Sequence, residues 1–245
     1  MLKLENVTKI FKNGKGIKDV SFEVPQNSVC GFLGDNGMGK TTTIKSIFQQ
    51  YLTSDGLITY KGESLKNRDT LLKFGLFPDS GAIPIEYKYE DYVKFLALLY
   101  RVPKKTALKK LKELNEIFSL EGYEKKSLSA LSAGMLKRAM LVTIMIIDPE
   151  VVILDEPTAN LDVESRKEFI EILRFLKEKG KTIIITSHIV EELQTIIDYL
   201  VFIDNGEIKY SSSFDNSKEK IADIYEKHKT KSTKNRLEEL RNYEK

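Results

Sequence analysis

The chain has 245 residues, 41% of them hydrophobic, which allows one large domain or two small ones with a sizeable core. Its 39 basic and 36 acidic side chains leave a net charge of only +3, without the basic excess of a dedicated nucleic-acid binder. One cysteine excludes an internal disulfide framework, and no apolar run approaches the roughly 18 residues needed to cross a bilayer.

Met1-Leu-Lys-Leu-Glu-Asn-Val carries charge and no uninterrupted apolar segment, so no secretory signal is expected there and the chain is expected in the cytosol. In the opening 60 residues Val20, Phe22 and Val24 alternate onto one face, and Leu57–Tyr60 follows the turn residues Ser54-Asp-Gly. That pattern predicts an antiparallel sheet. Val29–Leu33, Val151–Leu154, Thr182–Thr186 and Tyr199–Ile203 are apolar almost throughout, as strands of a parallel sheet buried on both faces are. Cys30 within the first of these reads as a small core residue. Between Tyr87 and Ile147 two sets recur at helical spacing: Tyr92, Phe95, Leu96 and Leu99, then Ala107, Leu108, Leu111, Leu114 and Phe118. They predict a helical insertion over about residues 80–147. A further helix is expected from about Val163 to Lys179, burying Phe169, Ile172, Leu173 and Leu176, with Gly180 as its stop. Lys218 to Lys245 is rich in Lys and Glu, so residues 212–245 read as a charged, solvated helix or mobile tail beyond a domain of residues 1–211. No internal repeat and no Cys/His metal-ligand spacing stands out.

The strongest chemical signal is Gly34-Asp-Asn-Gly-Met-Gly39-Lys40-Thr41, which fits G-x-x-x-x-G-K-[ST] between a buried strand and an amphipathic helix. Backbone N–H groups around Gly34, Asn36, Gly37 and Gly39 converge on phosphate oxygens in such a loop, and the helix N-terminus behind it favours negative charge. Lys40 then reaches the β- and γ-phosphates, Thr41 ligates Mg2+, and Thr42 donates toward the α-phosphate. The second signal is the pair Asp155-Glu156 at the end of a buried strand, closed by Pro157. Two adjacent charges there are costly without a task. Asp155 holding Mg2+ through water and Glu156 polarising the attacking water divide that task between them.

From these residues onward the chain resembles the ABC transporter ATPase family over residues 1 to about 210. Leu131-Ser132-Ala133-Gly134-Met135 is similar to the family's L-S-G-G-Q signature, with Ala133 and Met135 departing from it and Ser132 and Gly134, the pair that faces a γ-phosphate, kept. Ser132 is also a plain helix N-cap in pattern. Asn160-Leu161-Asp162 matches the D-loop, where the aspartate communicates between two nucleotide sites, although Asp162 also suits the cap of the helix that follows. His188 in Thr186-Ser187-His188 resembles the switch histidine that contacts the γ-phosphate, against a structural strand-end role. Phe11 resembles the aromatic that stacks on adenine, or is a core aromatic. Asp79 in Phe77-Pro78-Asp79 stands where the family carries a glutamine, and an aspartate accepts from Mg2+-bound water but cannot donate.

The resemblance implies an α/β P-loop NTPase fold with a mainly parallel core sheet, an N-terminal antiparallel β-subdomain and an inserted α-helical subdomain. It implies ATP hydrolysis with Mg2+ by a head-to-tail dimer, homodimer or heterodimer, in which Ser132 and Gly134 reach the opposite protomer's ATP. It also implies a separate transmembrane permease that holds the chain on the inner face of the membrane, and no nucleic acid. The altered signature and Asp79 are most similar to ABC-2-type exporter ATPases of drug, peptide or bacteriocin efflux. Two other readings stay open: an ATPase of this type acting on nucleic acid or ribosomes, and a regulatory subunit that binds ATP with weak turnover.

Overall fold

A computed structural model describes residues 1–159, 161–187 and 193–229. Among them the strands are β1 (Leu2–Ile10), β2 (Gly16–Val24), β3 (Val29–Leu33), β4 (Asp55–Tyr60), β5 (Glu63–Ser64), β6 (Phe74–Phe77), β7 (Val151–Asp155), β8 (Thr182–Ser187), β9 (Tyr199–Asp204) and β10 (Glu207–Ser213). The α-helices are α1 (Lys40–Ile47), α2 (Arg68–Leu71), α3 (Tyr89–Leu99), α4 (Lys104–Phe118), α5 (Ala133–Ile147), α6 (Val163–Glu178) and α7 (Ile221–His228).

The strands form two sheets, an antiparallel one ordered β2-β1-β4-β5 and a six-stranded one ordered β10-β9-β3-β8-β7-β6. In the larger sheet β9, β3, β8, β7 and β6 run parallel and only the edge strand β10 is antiparallel. The continuous apolar runs follow from burial on both faces. Cys30, Phe32, Val151, Ile153 and Ile184 pack with the antiparallel sheet and α1, whereas Val29, Leu33, Val152, Leu154, Ile183 and Ile185 pack with the helices. The expected fold class is the one observed.

Four features differ from the sequence reading. β6 was not foreseen. It is only four residues long and holds Gly75, where a Cβ would stand 2.7 Å from Pro149 Cγ, so packing against Pro149 and pairing with β7 define it, not periodicity. Both β1 and β10 also went unnamed, β1 because register shifts on either side of Val7 break its alternation. In α3 the buried side chains are Tyr89, Tyr92, Val93 and Ala97, so Phe95 and Leu99 do not lie on the core face, being 54% and 38% exposed. Helical spacing found the helix but could not fix which of two apolar stripes faces inward. Finally, β10 runs past residue 211 to Ser213, and Phe214, Ile221 and Ile224 are buried in the main core. The packed unit therefore continues beyond the expected boundary, and α7 is an amphipathic helix with a core face. The part of the expected tail from residue 230 lies outside the described residues.

Candidate functional site

The parallel strands end on one side of the sheet, and their ends bring distant motifs together. The loop after β3 enters α1 through Gly39, whose φ of +113° suits glycine and whose added Cβ would stand 2.8 Å from Ile17 Cγ2. Lys40 is buried under this loop. Its Nζ donates to Gly34 O at 2.6 Å and pairs with Glu156 Oε1 at 3.5 Å. A cavity of about 430 Å3 is lined by Asn36, Gly37, Gly39, Lys40, Thr41, Thr42, Asp79, Asp155 and Glu156, together with Asp35 and Ala159. Gly34 contributes from behind through the carbonyl that holds Lys40.

The carboxylate pair is organised by a residue that the sequence did not single out. Thr186 lies opposite Asp155 in the parallel register of β7 and β8. Its hydroxyl donates to Asp155 Oδ1 at 2.7 Å and accepts from the Glu156 N–H at 2.9 Å. Thr41 Oγ1 donates to Asp155 Oδ2 at 3.2 Å. Glu156 itself adopts φ of +48°, a left-handed conformation uncommon for a non-glycine residue.

Burial pushes the Asp155 carboxyl up from its ordinary range; the Thr186 and Thr41 hydroxyls oppose that rise, and the neighbouring Asp79 and Glu156 charges add to it. A carboxyl whose pKa rises on folding contributes most to stability below the unfolded carboxylate range, and that contribution is lost as pH rises through the folded value. Asp155→Asn, which keeps an acceptor for Thr186, is therefore expected to melt higher than the native chain at neutral pH in chelator. The gap should close in acid. A lower melting temperature for the Asn variant at neutral pH would show that Asp155 is not a destabilised charge.

Among the described residues no three His, Cys, Asp or Glu side chains converge to hold a metal alone. The Thr41 hydroxyl and Asp155 carboxylate instead offer paired oxygens, the donor set of a hard cation that keeps waters and takes its other ligands from phosphate. These residues fit Mg2+.

Other predicted residues lie apart from the cavity. Phe11 packs edge-on against Tyr51, with ring centroids 5.2 Å apart. Ser132 is exposed and caps α5, its Oγ accepting from the Met135 N–H at 3.3 Å. Gly134 follows in the first turn of α5 with room around it, since an added Cβ would meet only Ser165 Oγ at 3.9 Å. Asp162 caps α6 with both oxygens engaged by Ser165, one by its N–H at 2.8 Å and the other by its hydroxyl at 3.0 Å. His188 and Asn160 lie outside the described residues. The loop residue Asp35 also accepts from Tyr225 Oη and pairs with Lys229 Nζ at 3.0 Å, which joins the C-terminal segment to the phosphate loop.

The family model described as ABC transporter matches residues 17–159. The chain is 29% identical to the ABC transporter ATP-binding protein NatA of Bacillus subtilis, covering 82% of this chain and 83% of NatA. It is 30% identical to the Nod factor export ATP-binding protein I of Ralstonia nicotianae, covering 84% of this chain and 65% of that protein. A solved structure of an ATP-binding subunit of an ABC transporter superposes with a TM-score of 0.82 at 24% identity, covering 93% of this chain and 98% of that one, and shows the same fold.

Proposed function

We infer, from the premise that this chain belongs to the ABC transporter family and is its ATP-binding ATPase subunit, that it drives an exporter as a head-to-tail dimer attached to a separate permease. The observation that supports this best is the single cavity in which Lys40, Thr41, Asp155 and Glu156 converge although they come from distant parts of the chain.

In this reading the phosphate loop and Lys40 bind the triphosphate. Lys40 is held by Gly34 O and Glu156 in the chain alone, and phosphate oxygens draw the ammonium away from the carboxylate. That frees Glu156 to take up the proton of an attacking water. Thr41 and Asp155 would hold Mg2+, which when bound would neutralise developing phosphate charge. Thr186 keeps Asp155 and the Glu156 backbone in register. Ser132 is exposed and Gly134 half-buried, and neither lines its own chain's cavity, which suits contact with the partner protomer's γ-phosphate. ATP then joins the two halves and hydrolysis releases them.

The permease site in this reading is a second cleft, of about 710 Å3, lined by Phe48, Leu76, Pro78, Tyr92, Leu96, Leu99 and Tyr100. It shares Thr41, Asp79 and Asp155 with the phosphate cavity, so a helix seated there touches the same residues that meet nucleotide. The exposed Phe95 and Leu98 of α3 extend its apolar rim. Among the described residues no helix is long and apolar enough to cross a membrane. Export is favoured by the likeness to the Nod factor export protein and by Asp79 and Met135 at altered motif positions.

Affinity purification from detergent-solubilised membranes tests this. The chain should carry a permease with it and hydrolyse ATP faster in that complex, and vesicles containing the complex should pump cargo in the direction of efflux. Co-purification with ribosomes or nucleic acid and no membrane protein would select the competing reading, and pumping toward the cytoplasmic side would overturn export.

A further inference from the structure

Helix α5 carries a lysine where its apolar neighbours pack. Lys137 is 5% exposed, with Ala139, Met140 and Leu141 buried beside it on α5. Burying an ammonium group is costly unless it is paired or hydrogen-bonded. Its Nζ donates to the main-chain oxygen of Glu156 at 3.3 Å and stands 5.8 Å from the ring centroid of Phe77, the last residue of β6. Burial lowers the Lys137 pKa, while the Asp79 and Glu156 carboxylates act to raise it. The same side chain thus reaches α5, the end of β6 and the end of β7.

Glu156 needs such a contact. Its left-handed backbone persists only where the surroundings hold it. Thr186 holds the residue at its N–H, and Lys137 holds it at its C=O. Lys137 does not line the phosphate cavity, and it binds the Glu156 main-chain oxygen whereas Lys40 pairs with the carboxylate, so the two lysines engage different atoms of Glu156.

We propose that Lys137 is a positioning residue that clamps the main chain of Glu156 from α5, the helix that Ser132 caps, and so fixes the carboxylate at the place of the attacking water. The proposal rests on the reading of Glu156 as the general base. It links the surface expected to meet the partner protomer's ATP with the base of the chain's own site: a displacement of α5 is transmitted to Glu156 through one side chain.

The test compares Lys137→Met, Lys137→Gln and Glu156→Gln in the full chain by steady-state MgATP hydrolysis, binding of a fluorescent ATP analogue, and thermal melting. Methionine keeps the apolar stem without the donor, and turnover should fall on the order of tenfold, the scale of a lost hydrogen bond from a charged donor, with nucleotide affinity unchanged. Its melting temperature should not fall, because a buried charge is removed. Glutamine restores a donor to a neutral acceptor and should recover most of the turnover. Native turnover in Lys137→Met beside an inactive Glu156→Gln would overturn the clamp and leave the base in place. Reduced turnover together with reduced melting temperature and weaker nucleotide binding, unrelieved by glutamine, would make Lys137 a structural residue and also overturn it. Full turnover in Glu156→Gln would overturn the underlying reading and this inference with it.

Discussion

Glu156→Gln is expected to bind MgATP as the native chain does and to turn it over on the order of 10²–10⁴ times more slowly, the range for losing a general base. The substitution is nearly isosteric, and the main-chain bonds from Glu156 N–H to Thr186 and from Lys137 to Glu156 O do not involve the carboxylate. The ion pair with Lys40 is lost, but Lys40 keeps its bond to Gly34 O, so the phosphate loop retains its shape. Removing one negative charge beside Asp79 and Asp155 also relieves repulsion within the cavity. Binding should therefore be spared while chemistry fails. If ATP holds two protomers together until it is cleaved, this variant should elute as a dimer with MgATP and as a monomer without it, by size-exclusion chromatography with light scattering. Undiminished turnover would remove Glu156 from the mechanism. Slow turnover without a dimer would instead point to a different partner subunit, or to a permease that holds the halves together.

The parts of this site legible in the sequence are those where chemistry restricts residue type over a short stretch. A phosphate loop needs glycines, a lysine and a hydroxyl at fixed spacing, and Gly34 to Thr42 stands out for that reason. Asp155 and Glu156 stand out because charge at the end of a buried strand is unusual. Thr186 could not be read the same way, since its role exists only through the register that sets β8 against β7. Lys137 looked like any polar position of a helix, and only the packing of α5 shows that it points inward. The core face of α3 could not be read, because Phe95, Leu98 and Leu99 form a second apolar stripe that helical spacing cannot tell from a core stripe. In α7, Ile221 and Ile224 were outnumbered by charges, so composition suggested a solvated tail where two isoleucines and Phe214 reach the core. Local patterns thus carried the phosphate chemistry, whereas contacts made by sheet register and helix rotation did not show.

Gly134→Asp tests whether the site is completed by a second copy, because the chain itself gives little reason for that variant to fail. Gly134 lies in the first turn of α5, an added Cβ meets only Ser165 Oγ at 3.9 Å, and a carboxylate there interacts favourably with the helix N-terminus. Replacing glycine within a helix also lowers the entropy lost on folding. Stability should hold or rise, and ATP binding to the chain's own phosphate loop should be unchanged. Turnover should nevertheless fall on the order of 10²–10³, comparable with losing a donor that stabilises transition-state charge, since the new carboxylate would confront the partner's γ-phosphate. Lys40→Met fails for the opposite reason, by losing its own ATP. A mixture of the two inactive proteins can form a heterodimer in which the Lys40→Met subunit presents a native Gly134 surface to the intact phosphate loop of the Gly134→Asp subunit. One site of that heterodimer is whole, so mixing should restore activity to a fraction of native that grows with subunit exchange. No recovery on mixing, with exchange verified by labelled subunits, would mean that Gly134 acts within its own chain or that two intact sites must fire together. Recovery would assign Gly134 to the neighbouring protomer's ATP, a contact that no single chain contains.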